Sequence, residues 1–110
     1  MKVAYKVWLD NGGKAFGEGP YRLLKHVEVT GSLHKTAHDL GISYRKAWAT
    51  LHTAEKKLGF ALLERRIGGV SGGGSQITPA GRTLMANYEK FREEIKTLME
   101  KAYQKHLGDL

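Results

Sequence analysis

The chain has 110 residues, enough for one small domain or one domain plus an arm, and too few for two full domains. Its 18 Lys and Arg against 11 Asp and Glu give a net charge of +7, which points towards an anionic partner. A hydrophobic fraction of 41% with 26% charged residues excludes wholesale disorder.

There is no Cys, so disulfides, thiolate metal sites and a cysteine nucleophile are excluded. No run of about 18 apolar residues exists to span a membrane. The first seven residues alternate and lack the apolar block of a signal peptide. A cytoplasmic protein without a membrane partner is expected.

Val3, Tyr5, Val7 and Leu9 alternate with Lys2, Ala4, Lys6 and Trp8, a period-two pattern that predicts a strand. Asp10-Asn11-Gly12-Gly13 is a hairpin turn, and Lys14-Ala15-Phe16 can return as a short second strand. Gly19-Pro20 opens a helix with Leu23, Leu24 and Val27 inward, ended by Thr30-Gly31. Ser32 caps a second helix of about two turns, with Leu33, Ala37 and Leu40 inward, closed by Gly41. Ile42 is an apolar plug in the turn that follows, and Ser43 caps a third helix.

The third helix is predicted from Tyr44 to about Leu58, with Gly59 as its stop. Ala47, Leu51, Ala54 and Leu58 share one stripe at about 100° per residue. The opposite face carries Arg45, Lys46, Ala49, His52, Thr53 and Lys56. Leu62 to Ile67 reads as a strand, Gly68 to Gly74 as a flexible loop and Ser75-Gln76-Ile77 as a short return strand. Thr78-Pro79 opens a last helix reaching about His106.

Charge is unevenly spread. Residues 32–82 carry eight basic groups against three acidic ones, whereas residues 83–110 carry five of each. The middle is therefore the expected phosphate-facing surface. The last helix carries a heptad seam, Leu84, Tyr88, Phe91, Ile95, Leu98 and Ala102, spaced four, three, four, three, four. At 1.5 Å per residue this helix is roughly 40 Å long, more than so small a core covers, and a coiled-coil contact with a second chain is expected.

Two short helices joined by Leu40-Gly41-Ile42-Ser43, with a basic outward face on the second, describe a helix-turn-helix, and the Gly-rich hairpin after it is a wing. The fold class expected is mainly α with a small β component. Residues 1–82 form a winged helix-turn-helix with an N-terminal hairpin, and residues 83–110 a C-terminal dimerisation helix.

Thr30-Gly31-Ser32, Ala37, Leu40-Gly41, Leu58-Gly59, Leu62-Leu63, Arg65 and Ile77-Thr78-Pro79-Ala80-Gly81 resemble the LysR-type winged-helix domain. Ser43-Tyr44-Arg45-Lys46-Ala47-Trp48 and the glycines from Gly68 to Gly74 more specifically resemble the ModE family of molybdate-responsive regulators. The resemblance covers residues 3 to about 90. It implies a homodimer on a palindromic DNA operator. Thr36 departs from a pattern that usually pairs two alanines there, a change that a helix surface absorbs. The 110 residues leave no length for the family's C-terminal molybdate-binding domains, so DNA binding is expected without an oxyanion site.

Roles follow residue by residue. Ser43 caps the recognition helix and can touch phosphate. Tyr44, Arg45 and Lys46 occupy its first turn, where Arg45 can take guanine O6 and N7 bidentately. Ala49 is small enough to meet a thymine methyl. His52, Thr53 and Lys56 suit backbone contacts. Arg65 and Arg66 begin the wing, and strand alternation puts one of them on the DNA side. Trp48 flanks the core stripe, which favours packing over base stacking.

His34 and His38 lie four apart, but with only Asp39 near them they do not make a metal site. The Gly-rich segment lacks the Lys-Ser/Thr of a phosphate loop. No catalytic constellation stands out, so neither an enzyme nor a cofactor is expected. The rival reading is a winged-helix protein-interaction or scaffold module. A regulator whose effector sits on a separate chain is also compatible with the sequence.

Overall fold

Ser32, Ser43 and Thr78 each stand one residue ahead of a helix. In each case the side-chain oxygen accepts the backbone N–H three residues on: Lys35 at 3.1 Å, Lys46 at 3.0 Å and Gly81 at 2.9 Å. These caps start α2 (Leu33–Asp39), α3 (Tyr44–Leu58) and α4 (Pro79–Leu107). A first helix, α1 (Glu18–Thr30), follows extended Gly17 and has no side-chain cap. Gly31 and Gly59 end α1 and α3 at φ of 67° and 85°, a left-handed conformation that explains glycine at both stops.

The structure is a computed structural model that describes residues 1–66 and 74–110. Ile67 and the wing glycines Gly68, Gly69, Gly72 and Gly73 lie outside the described residues. Two antiparallel pairs complete the architecture. β1 (Leu9–Asp10) pairs with β2 (Lys14–Phe16), and β3 (Leu63–Arg66) pairs with β4 (Gly74–Ile77) in the register Leu63 to Ile77 and Arg66 to Gly74. Mainly helical, with two small hairpins, this is a winged helix-turn-helix followed by one long helix.

The core lies where α1, α2 and α3 cross. Leu24 and Ala47 are fully buried, and the small side chain of Ala47 lets α3 approach the first two helices closely. Ile42 packs partly buried against this core, and its N–H donates to the Ala37 carbonyl at 3.0 Å, so the turn between α2 and α3 is fixed from both sides. The second hairpin is joined to the cap of α1 by a backbone bond, Ser75 N–H to the Gly31 carbonyl at 2.9 Å. Thr78 ties the start of α4 to the segment before β3, donating its hydroxyl to the Ala61 carbonyl at 2.6 Å.

Three expectations are corrected. The strand expected from Val3 shrinks to Leu9–Asp10, because only three residues return before Gly17 and α1; among the described residues Val3 to Val7 have no strand to pair with. Thr36 is not on a surface: it is fully buried, and its hydroxyl is satisfied by the Thr30 hydroxyl at 2.9 Å. Tyr88 is not free for a second chain. It is buried in its own domain, edge-on to Phe16 with ring centres 5.2 Å apart.

The first part of α4 is held down by α1. The Tyr21 hydroxyl donates to Glu89 at 2.7 Å, Arg92 donates to Glu18 at 2.6 Å, and the Arg92 guanidinium lies 4.7 Å from the Tyr21 ring centre. Burial, then the Glu89 carboxylate, pushes the Tyr21 hydroxyl above its usual range. The bond from Tyr21 holds Glu89 below the usual carboxylate range. Beyond Arg92 no residue of α4 is buried, and the molecule reaches 59 Å along its longest axis.

Candidate nucleic-acid interface

Helix α3 buries Ala47, Leu51 and Ala54 and packs Leu58, partly buried, against the same core. Ser43, Tyr44, Arg45, Lys46, Ala49, Thr53 and Lys56 are exposed, and His52 is half-buried. The structure thus brings the expected residues of this helix to one surface. It also divides them. Lys46, Ala49 and Thr53 border the groove beside the first hairpin, whereas Arg45, His52 and Lys56 do not.

Five of the acidic residues are engaged within the domain, and Glu55, on α3 itself, also lies 3.8 Å from His52. Glu18 holds Arg92, Glu28 pairs with Lys25 and Arg82, and Glu89 pairs with Lys25. Asp39 accepts from His26 at 3.0 Å, which joins α1 to α2 and holds the Asp39 carboxyl below its usual range. Glu55 accepts the backbone N–H groups of Leu62 and Leu63 at 2.7 and 3.2 Å. Among the described residues, Arg45, Lys46, Lys56 and Arg65 are left without an ion pair. Exposed and unneutralised, three cations of α3 and one of β3 offer binding to a polyanion without first breaking an internal pair.

Lys57 is different. Its ammonium donates to the Gly12 carbonyl at 2.7 Å, and Asn11 donates to the Lys57 carbonyl at 2.8 Å, so the first hairpin clips the C-terminal end of α3. The two wing arginines also separate. A β-carbon on Gly31 would meet the Arg66 guanidinium at 3.4 Å, and one on Gly74 would meet it at 3.0 Å. Arg66 therefore lies back over the α1–α2 turn and Arg65, opposite Ser75, stands on the other face of the hairpin; both are exposed. The expected wing glycines before Gly74 fall outside the described residues.

Trp48 overturns the packing expectation. It is 48% exposed and stacks on His52, ring centres 4.4 Å apart. Tyr44, 41% exposed, stacks in the same way on His34 of α2 at 3.7 Å. The signal was available in the sequence: at about 100° per residue Trp48 sits a quarter-turn from the centre of the stripe. Sequence reasoning also missed the groove on the other flank of α3. Its volume is about 1000 Å³, and Trp8, Lys14, Thr50, Thr53, Ile95 and Lys96 are among its walls.

His34 and His38 do not converge: His34 faces Tyr44, and His38 lies 3.7 Å from Asp39. Among the described residues no three His, Asp or Glu side chains gather as a metal site would need. No helix there is long and apolar enough to cross a membrane.

Residues 20–82 match the family described as bacterial regulatory helix-turn-helix protein, lysR family. The chain is similar to the DNA-binding transcriptional dual regulator ModE of Escherichia coli, with 39% identity over 67 residues, 61% of this chain and 26% of that protein. It is 30% identical to the molybdenum-pterin-binding protein MopB of Rhodobacter capsulatus over 107 residues, 97% of this chain and 39% of that protein. It is 32% identical to the molybdenum transport protein ModE of Azotobacter vinelandii over 89 residues, 81% of this chain and 33% of that one. The chain thus spans between a quarter and two-fifths of these relatives' lengths. The match covers α1, α2, α3 and the second hairpin, more than half of the chain, and the protein belongs to the lysR family of bacterial regulatory helix-turn-helix proteins.

Proposed function

We propose that this chain is the DNA-reading part of a sequence-specific transcriptional regulator that binds double-stranded DNA as a homodimer on a palindromic operator. The observation that carries the reading is the set of exposed cations on α3, Arg45, Lys46 and Lys56, which form no ion pair among the described residues. The names of its relatives support it, ModE of E. coli being a DNA-binding transcriptional regulator.

In this reading α3 enters the major groove by its N-terminal end. Arg45 forks onto a guanine, and Ala49 lies against the base edges. Lys46, His52, Thr53, Lys56 and Ser43 address the backbone. Arg65 carries the second hairpin onto the flanking phosphates. Arg66 acts indirectly, holding that hairpin against α1.

The dimer forms along the outer part of α4. Tyr88 belongs to the domain's own core and Leu84 packs partly against it, so the seam left for a second chain is Phe91, Ile95, Leu98 and Ala102. Phe91 and Leu98 are 40% and 55% exposed, which is costly for an isolated helix in water. The regulator works in the cytoplasm, without catalysis.

Selection of bound sequences from random duplex DNA tests the reading. A motif with two inverted half-sites, bound with an affinity that falls steeply with salt, is the expected result. No enrichment, or salt-insensitive binding, overturns it and favours a protein-interaction module.

A further inference from the structure

Trp48 and Tyr44 are two large aromatic side chains with nearly half of their surface in water. They are not loose. His52 lies on the Trp48 ring at an interplanar angle of 19°, and His34 lies on the Tyr44 ring at 6°. Each ring therefore presents a fixed apolar surface, and fixing it again on binding costs little entropy. Together with Arg45 the two rings line a dent of about 240 Å³ on the surface of α3.

The dent is apolar on two sides and cationic on the third. Two aromatic rings beside the Arg45 guanidinium, which has no ion pair among the described residues, suit an apolar group carried by an anionic molecule. On base edges in the major groove, the thymine C5-methyl is the apolar group. We infer that the Tyr44–Trp48 shelf takes the C5-methyl of a thymine adjoining the base pair that Arg45 reads. The inference rests on the DNA-reading function proposed above and deepens it, making Trp48 a specificity-determining residue.

The test replaces each thymine of the selected duplex, in turn, by deoxyuridine, which removes the methyl and keeps every hydrogen-bonding group. Affinity is read by fluorescence anisotropy. Wild type loses about four-fold per half-site at one thymine position, the worth of one buried methyl. Trp48→Ala binds the thymine and deoxyuridine duplexes equally, and Trp48→Phe keeps the preference. Tyr44→Ala gives a second variant on the same shelf, and circular dichroism confirms that each variant folds.

A wild type indifferent to every thymine methyl overturns the inference. So does a methyl effect that survives unchanged in Trp48→Ala and Tyr44→Ala; both leave DNA reading intact, provided a motif is enriched. Failure to enrich any motif overturns the proposed function and this inference with it.

Discussion

The Glu55 carboxylate accepts the backbone N–H of Leu62 at 2.7 Å, across the Gly59 turn that separates the last part of α3 from β3. Leu62 is fully buried, so this N–H has no access to water if its acceptor is lost. One carboxylate thus fixes where the second hairpin leaves the recognition helix. Glu55→Ala orphans the donor and is expected to cost about 1–3 kcal/mol. Glu55→Gln keeps an acceptor and costs less. Urea unfolding of both variants checks this; equal stability of wild type and Glu55→Ala contradicts the role.

Tyr21 and Glu89 give a pH-dependent contribution with a definite sign. The Tyr21 hydroxyl holds the Glu89 carboxyl below its unfolded value, near 4.3 for a free Glu. The folded state binds that proton less readily, so the stabilisation is fully present above about pH 4.3 and lost as pH falls through the folded value. Glu89 is 39% exposed, so solvent screens the pair and the effect is small. Tyr21→Phe is expected to be less stable than wild type at pH 7, with the gap narrowing on acidification below pH 4. Urea melts at neutral and acid pH measure it. A gap that widens towards acid has the wrong sign for this account.

The two ends of the heptad seam are expected to respond differently to charge. Ile95→Asp leaves the domain folded and breaks the dimer, seen as a halved mass in light scattering. Tyr88→Asp places a carboxylate against Phe16 in the core and unfolds the domain. An Ile95→Asp variant that remains dimeric shows that the outer part of α4 is not the interface.

The helices were legible because their punctuation is local. Ser32, Ser43, Thr78, Gly31 and Gly59 act within one turn of chain, and the four-residue stripe of α3 follows from its own spacing. Three features depend on distant partners and were not legible. The alternation from Val3 to Val7 gives no sign that the returning strand stops at Phe16. The seam of α4 has the same spacing where it faces its own core, at Tyr88, as where it faces outward, at Leu98. Thr36 is tolerated in the core only because Thr30, on the preceding helix, supplies its hydrogen bond. At the candidate site, the outward residues of α3 were read from helical angle. The separation of Arg65 from Arg66 required the fold of the hairpin over Gly31.

The most direct test of the account is the specificity of Arg45→Ala, measured against Lys56→Ala on the selected duplex and on a scrambled one. Arg45→Ala is expected to weaken the selected duplex by about 1–3 kcal/mol, relax preference at one base pair and change scrambled binding little. Lys56→Ala is expected to weaken both duplexes alike and lower the salt slope by about one. If Arg45→Ala weakens both duplexes equally, Arg45 holds phosphate rather than base, and α3 does not read sequence in the way proposed.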